Sequence, residues 1–381
     1  VKILGGLSTL DIGEIKLNIV SGLIYSKERL FRGYVQFDTE RILEVQEGEP
    51  PQDSISKGLI IPLLANCHTH IGDACLRGKI GNELSLEEVV RPPNGLKYQL
   101  LSQCKDEEIS NGMRSAMDEM RRFGVGRFID FREGGIRGLS QLKSAMTDRP
   151  LSSSIILTRP KELTYSKQEV ETLLAESDGI GASAMRDWKF DDLLCLAEHA
   201  YRKKKIFALH ASEGRREELE NILDLRPDFL IHMSNASADD IQICVEEDIP
   251  IVVCPRSNAR FGLKTDIARM IDLGVNVCLG TDNAMLNSLS VLDEMRAAYS
   301  SRFNSRPLTP AEILRLAVDN SRKVLKDKTI IGIEPGAPCE FMVIRAGSDD
   351  SPERILSDEF SYSIDLLCSN NKIWWSPLER C

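Results

Sequence analysis

Histidine is scarce in this chain: 381 residues contain five, His68, His70, His199, His210 and His232. Other shortages exclude whole classes of protein. No stretch approaches the roughly 18–20 uncharged apolar residues of a membrane-spanning helix, so no membrane association is expected. Val1 to Leu10 carry no basic segment followed by an apolar core, and no signal peptide is expected. Positive charge is in deficit: 48 Lys plus Arg against 58 Asp plus Glu give a net charge of −10, which argues against a nucleic-acid partner. The ten cysteines show no C-x-x-C pair and no regular spacing, which disfavours a disulfide framework and cysteine ligation of zinc. Cys67, Cys195, Cys244 and Cys278 fall in apolar segments and read as free core thiols, as expected of a cytoplasmic protein.

What is present is ordinary in bulk. An apolar content of 42% with 28% charged residues is that of a soluble globular protein, long enough for one large domain and a smaller one. The informative stretch is Leu63-Leu64-Ala65-Asn66-Cys67-His68-Thr69-His70. The apolar run Leu59 to Leu64, bounded by Gly58, reads as a buried strand feeding into two histidines. Residues i and i+2 of a strand point the same way, so His68 and His70 project together from its C-terminal end. His210 ends Ile206-Phe207-Ala208-Leu209, His232 ends Phe229-Leu230-Ile231, and the run from Val275 to Thr281 delivers Asp282. His199 lies in a helical pattern, Leu193 to Ala200, and reads as a surface or helix-packing residue.

Strand and helix patterns alternate through the centre of the chain. After the first strand come Arg127–Phe131, Ser154–Leu157 and Gly179–Ala184, then the strands ending at His210 and His232, Pro250–Cys254, and the one reaching Asp282. Helical patterns separate them: Asp106–Phe123, Lys167–Glu176, Gly214–Leu225 and Asp239–Glu247. Eight repeats over about 270 residues match a (β/α)8 TIM barrel, in which all strand ends open on one face. A doubly wound sheet would not gather ligands from so many strand ends in one ring. Both ends of the chain read as short strands: Ile15–Val20, Gly33–Phe37 and Arg41–Val45 before the barrel, and Phe341–Ile344, Ile364–Cys368 and Lys372–Trp375 after it. The expected architecture is α/β: a barrel over residues 58–328, with a small β-sandwich built from residues 1–57 and 329–381. The long connection Ile71–Gln103, beside the first two histidines, is a candidate lid.

A mixed His/Asp set suits zinc, or ferrous iron of similar geometry. Water bound to such an ion drops its pKa from 15.7 towards about 7, and a carboxylate such as Asp282 can take its proton. Glu213, three residues past His210, stands at the barrel mouth. It reads either as a proton carrier to a substrate ring or as a first-turn acid of a helix starting near Gly214. Metal hydroxide paired with a non-ligand glutamate is the logic of zinc deaminases.

These pieces resemble the amidohydrolase superfamily, in the branch of cytosine deaminase, guanine deaminase, methylthioadenosine/adenosylhomocysteine deaminase and the triazine chlorohydrolases. The matching segments are His68-Thr69-His70 followed by Arg77-Gly78; His210-x-x-Glu213; the strand ending in His232; Cys254-Pro255-Arg256-Ser257-Asn258; Gly280-Thr281-Asp282-Asn283; Leu308-Thr309-Pro310-Ala311-Glu312; and Gly332-Ile333-Glu334-Pro335-Gly336. They cover the chain in the family's order. The resemblance implies that His68, His70, His210 and Asp282 bind one divalent metal ion, Zn2+ ahead of Fe2+. It makes His232 a near neighbour that orients the hydroxide, and Glu213 the proton shuttle. No lysine stands at the end of the fourth strand, which favours one metal over two. Arg77, Arg132 and Arg256 are candidates for substrate binding.

The expected activity is hydrolytic deamination of a purine, pyrimidine or related small heterocycle. The alternatives are hydrolysis of another C–N or C–Cl bond, a two-metal phosphotriesterase-like hydrolase, or a non-catalytic barrel that serves as a binding module. An isologous homo-oligomer is the default assembly.

Overall fold

The apolar run Leu59 to Leu64, read from sequence as one strand, divides between two sheets. The computed structural model describes residues 17–81, 83–147, 153–326, 332–346 and 350–375. The first ten residues and the start of the predicted strand at Ile15 lie outside them. The first sheet contains β1 (Asn18–Ser26), β2 (Arg29–Phe37), β3 (Ile42–Glu47) and β4 (Ser56–Pro62). Leu59 and Ile61 of β4 pack into the large core shared with the barrel, and Ile60 packs into a smaller core on the opposite face. Burial on both faces is why that strand reads as an unbroken apolar run. The barrel begins only at β5 (Leu64–His70).

The barrel follows in chain order: β5, β6 (Val125–Arg132), β7 (Ser153–Thr158), β8 (Gly179–Ala182), β9 (Ile206–Ala211), β10 (Phe229–His232) and β11 (Ile251–Val253). The eighth strand comes in two pieces, β12 (Val277–Leu279) and β13 (Asp282–Asn283). Every neighbour pair is parallel. β12 pairs with β11 and β13 pairs with β5, so the two pieces close the ring. Its interior is filled by alternate residues, among them Ala65, Cys67, Ile129, Phe131, Ala208, Phe229, Ile231 and Val252.

The chain returns to the first sheet with β14 (Phe341–Arg345), β15 (Ser363–Ser369) and β16 (Lys372–Trp375), in the strand order β16-β15-β14-β4-β1-β2-β3. In a flat sheet β2 and β14 would stand three strand spacings apart, about 14 Å. The Phe37 and Phe341 ring centroids are 5.0 Å apart, so this single sheet curls over its own core and acts as the expected sandwich.

Among the described residues a 3-10 helix (Ile71–Leu76) and three α-helices lie between β5 and β6: α1 (Leu86–Val90), α2 (Leu96–Gln103) and α3 (Asp106–Arg122). In α3, Ile109, Met113, Ala116, Met117 and Met120 form the buried stripe, Asp106, Glu107 and Glu108 sit in the first turn, and Arg121 and Arg122 in the last, with the charge order the helix dipole favours. Full burial of each of those methionines contributes about 1.5–3 kcal/mol. Later helices fall where periodicity places them, with Lys167–Glu176 matching and Ala238–Glu246 one residue early. The predicted helix Gly214–Leu225 is reduced to Leu219–Leu223. Glu217 turns back instead: its carboxylate accepts from the amides of Ser212 (3.1 Å) and Arg186 (3.1 Å), while its own amide donates to Ser212 Oγ (3.0 Å). The chain from 212 to 217 is therefore a loop. Among the described residues no helix is long and apolar enough to cross a membrane.

Candidate metal and active site

Strand alternation places the side chains, and local irregularities aim them. In β9, Ile206 and Ala208 point into the barrel, so His210 follows on the same face at the C-terminal end. In β10, Phe229 and Ile231 point inward and regular alternation would turn His232 out. Its backbone is left-handed instead (φ 73°), which redirects the ring to the mouth. Asp282 is also left-handed (φ 60°), at the junction where the eighth strand passes from one neighbour to the other. The β5–β6 register shifts between Asn66 and Thr69, so that Cys67 fills the interior and His68, the next residue, still reaches the site. Bulges and left-handed residues of this kind concentrate at functional sites.

Donor atoms of His68, His210, His232 and Asp282 all lie within 4.8 Å of one another. His70 belongs to the same constellation, with Nε2 3.3 Å from His210 Nε2 and 3.6 Å from Asp282 Oδ1. The outer contacts fix the tautomers. His210 Nδ1 donates to the Ala182 carbonyl at 2.8 Å. His232 Nδ1 donates to Asn258 Oδ1 at 3.0 Å, because the Asn258 amide is committed as donor to Ser234 and Thr265. Both rings therefore turn a bare Nε2 lone pair inward. Asp282 Oδ2 accepts from Ser257 Oγ (2.5 Å) and Asn283 Nδ2 (2.8 Å), which leaves Oδ1 facing His68 at 3.3 Å. His199 stands apart on its helix, between Tyr165 and Glu171.

This donor set fits a divalent cation. Both ring nitrogens of His68 are buried with no hydrogen-bond partner. His70 Nδ1 lies 3.4 Å from Glu133 Oε1, and the Nε2 atoms of His70 and His210 stand 3.3 Å apart. Two nitrogens bound tetrahedrally to zinc stand about 3.3 Å apart. Burial keeps the imidazoles of His68, His70 and His210 neutral, below their ordinary range. Burial would raise the Asp282 carboxyl, but the facing His68 and the other rings hold it well below the usual carboxylate range. Neutral imidazoles around one ionised carboxylate are the protonation states that metal ligation requires.

Beside this cluster, Glu213 Oε1 lies 3.4 Å from His232 Nε2. Burial raises its carboxyl; His232 and Arg186 pull it back, and Asp282 pushes it further up. The cluster forms the floor of a cleft whose far wall comes from α1 and the loop after it (Leu86, Val90, Arg91, Pro92).

The three arginines picked from sequence are not among the lining residues. Arg77 donates to the Ala284 carbonyl at 2.7 Å and pairs with Glu119 at 2.6 Å. Arg132 lies over Gly72, 3.6 Å from Asp130 and 3.7 Å from Glu133. Arg256 is held by Glu294 (2.7 Å) and Ser288 (2.8 and 2.6 Å). Arg77 and Arg256, whose donors are committed to these partners, serve the scaffold. The cations lining the cleft are Arg91, Lys97, Arg159 and Arg186. Arg159 and Arg186 follow strand ends and could have been found by the rule that exposed the histidines. Lys97 carries no such signal.

The chain belongs to the amidohydrolase family, whose sequence model matches residues 59–364. It is thereby a hydrolase of carbon–nitrogen bonds other than peptide bonds. It is 32% identical to a putative aminohydrolase of Methanothermobacter thermautotrophicus, over 84% of this chain and 87% of that one. It is 27% identical to a 5'-deoxyadenosine deaminase of Methanothrix thermoacetophila, over 81% and 80%. Among solved structures it superposes on atrazine chlorohydrolase from Arthrobacter aurescens, complexed with zinc, with a TM-score of 0.72 at 17% identity, covering 94% of this chain and 95% of that one. That likeness is one of fold.

Proposed function

We propose that this amidohydrolase hydrolytically deaminates a small nitrogen heterocycle, using one zinc ion held by His68, His70, His210 and Asp282. The observation that carries the proposal is Glu213: a buried carboxylate with a raised proton affinity, beside His232 and facing the cleft over the donor cluster. The deaminases among the relatives support the reaction class. Ser183 and Ala184 follow the fourth barrel strand, where a second metal would need a carboxylated lysine or a glutamate.

When bound, the cation lowers the pKa of a water molecule towards about 7 and so makes a nucleophile available at neutral pH. The residues do the rest. His232, locked by Asn258 with Nε2 inward, orients the attacking oxygen. Glu213 takes the proton that this water gives up and donates it to the ring nitrogen adjacent to the amino-bearing carbon as the oxygen adds to that carbon. Asp282 or Glu213 then takes the proton of the added hydroxyl, and that proton passes to the amino group. The C–N bond breaks with its electron pair leaving on nitrogen, and ammonia departs. The sum is water plus amine giving carbonyl plus ammonia.

The test is ammonia release from a panel of aminopurines, aminopyrimidines and their nucleosides, with protein loaded with zinc or ferrous iron and a Glu213→Gln variant beside it. We expect metal-dependent release that falls about 10²–10⁴-fold in the variant. Release at the wild-type rate by Glu213→Gln, or none across the panel with metal bound, overturns the reading.

A further inference from the structure

Lys97 is 1% exposed, although it comes from α2 in the long connection that walls the cleft and not from a barrel strand. Its ammonium donates to Glu133 Oε1 at 3.0 Å and Asn283 Oδ1 at 3.3 Å, and it pairs with Asp73 Oδ2 at 3.1 Å. Two of these also touch the candidate ligands. Glu133 Oε1 faces His70 Nδ1 at 3.4 Å, and Asn283 Nδ2 donates to Asp282 Oδ2 at 2.8 Å. The next residue, Tyr98, donates to the same Glu133 oxygen at 3.1 Å. One side chain of the connection thus grips the outer partners of ligands from two different strands, β5 and β13.

We propose that Lys97 is a positioning residue that couples closure of the connection over the cleft to the geometry of the metal site. With the connection docked, the ammonium fixes the Glu133 carboxylate and the Asn283 amide. These in turn hold the His70 ring and the Asp282 carboxylate in their ligating orientations. With it undocked, Glu133 and Asn283 lose a shared partner and both ligands are freer to rotate. By reciprocity, metal binding must then favour the docked connection. The inference rests on the metal-site reading above.

The test uses zinc affinity, measured by competition with a chromophoric chelator, and protease cleavage within residues 77–105, each beside circular dichroism to establish folding. Wild type is compared with Asp73→Asn, and with Lys97→Met combined with Asp73→Asn, which removes one buried charge of each sign. We expect the double variant to bind zinc about 10–100-fold more weakly and to be cleaved several-fold faster, with Asp73→Asn alone losing distinctly less of both. Zinc added to the metal-free wild type is expected to slow cleavage of the connection, a readout that needs no variant. A folded double variant with wild-type zinc affinity overturns the inference, as does cleavage that zinc leaves unchanged or an equal loss in Asp73→Asn. If wild type binds no zinc, the metal reading falls as well, so the two failures are distinguishable.

Discussion

Gly280 sits where the eighth strand crosses from β11 to β5, and replacing it with alanine is a test of how tightly the site is held. A Cβ there would lie 2.7 Å from His68 Cβ, 2.9 Å from His68 N and 3.0 Å from His68 O. Ordinary contact begins at 3.4 Å, so the shortfall is about 0.7 Å, and no flexible side-chain end is available to absorb it. β5 and the eighth strand must part, straining the Thr281 N–H bond to the His68 carbonyl (3.1 Å) and moving His68 with it. Overpacking of this kind costs about 1–3 kcal/mol, and a misplacement approaching 1 Å at a reacting centre costs about 100-fold in rate. Gly280→Ala is therefore expected to stay folded with a somewhat lower Tm, to bind zinc more weakly, and to release ammonia about 100-fold more slowly. Gly262→Ala is the control: its φ of 70° strains any L residue, but its Cβ would meet nothing within 4 Å. It is expected to lower Tm and leave zinc affinity alone. Zinc affinity and turnover within twofold of wild type in Gly280→Ala would refute the reasoning.

Two further outcomes follow from groups nearby and remote. Asn258→Ala leaves His232 Nδ1 without its acceptor and removes a shared donor from the Ser234 and Thr265 hydroxyls, which keep each other at 2.9 Å. We expect a loss of about 1–3 kcal/mol in a denaturant titration, and ammonia release that falls through kcat while KM holds. Far from the site, Glu312 caps the helix Pro310–Ala317 and is held down to about 2, first by its hydrogen bond from Arg306 and further by Thr309. A carboxyl depressed in the folded state stabilises above its ordinary value near 4.5 and loses that contribution as pH falls towards 2. Because the pair is partly solvated, the contribution is about 1 kcal/mol. Melts at pH 3 and pH 6 should show a smaller pH-dependent loss in Glu312→Gln than in wild type, by somewhat over half that amount.

The barrel and its ligand-bearing ends were legible in the sequence because a strand imposes a period of two and the strand ends of a barrel share one face. Five histidines, four of them at strand ends, leave little ambiguity. The split of Leu59–Leu64 was not legible, because an apolar run buried on both faces looks the same in either sheet. Periodicity also over-extended the helix after His210, since Glu217 prefers the backbone amides of Ser212 and Arg186 to a helical turn. The arginines Arg77 and Arg256 lie close in sequence to candidate site elements, but their carboxylate partners Glu119 and Glu294 come from elsewhere in the chain, while Arg132 stands beside Asp130 of its own strand. Lys97 is the sharpest case: its neighbours in sequence say helix, and only the folded chain supplies Asp73, Glu133 and Asn283.

The pairing of β4 with β14 bears on synthesis. Pro62 bonds opposite Phe341, and Leu59 opposite Ile344. At roughly 5–20 residues per second, a ribosome needs on the order of 15–55 s to deliver the second partner after the first. Throughout that interval the whole barrel is being made while Leu59, Ile60 and Ile61 present a bare, apolar edge to their surroundings. A nascent chain stalled before Phe341 keeps that edge open, and its expected fate is capture by other strands before loss of catalysis is ever felt.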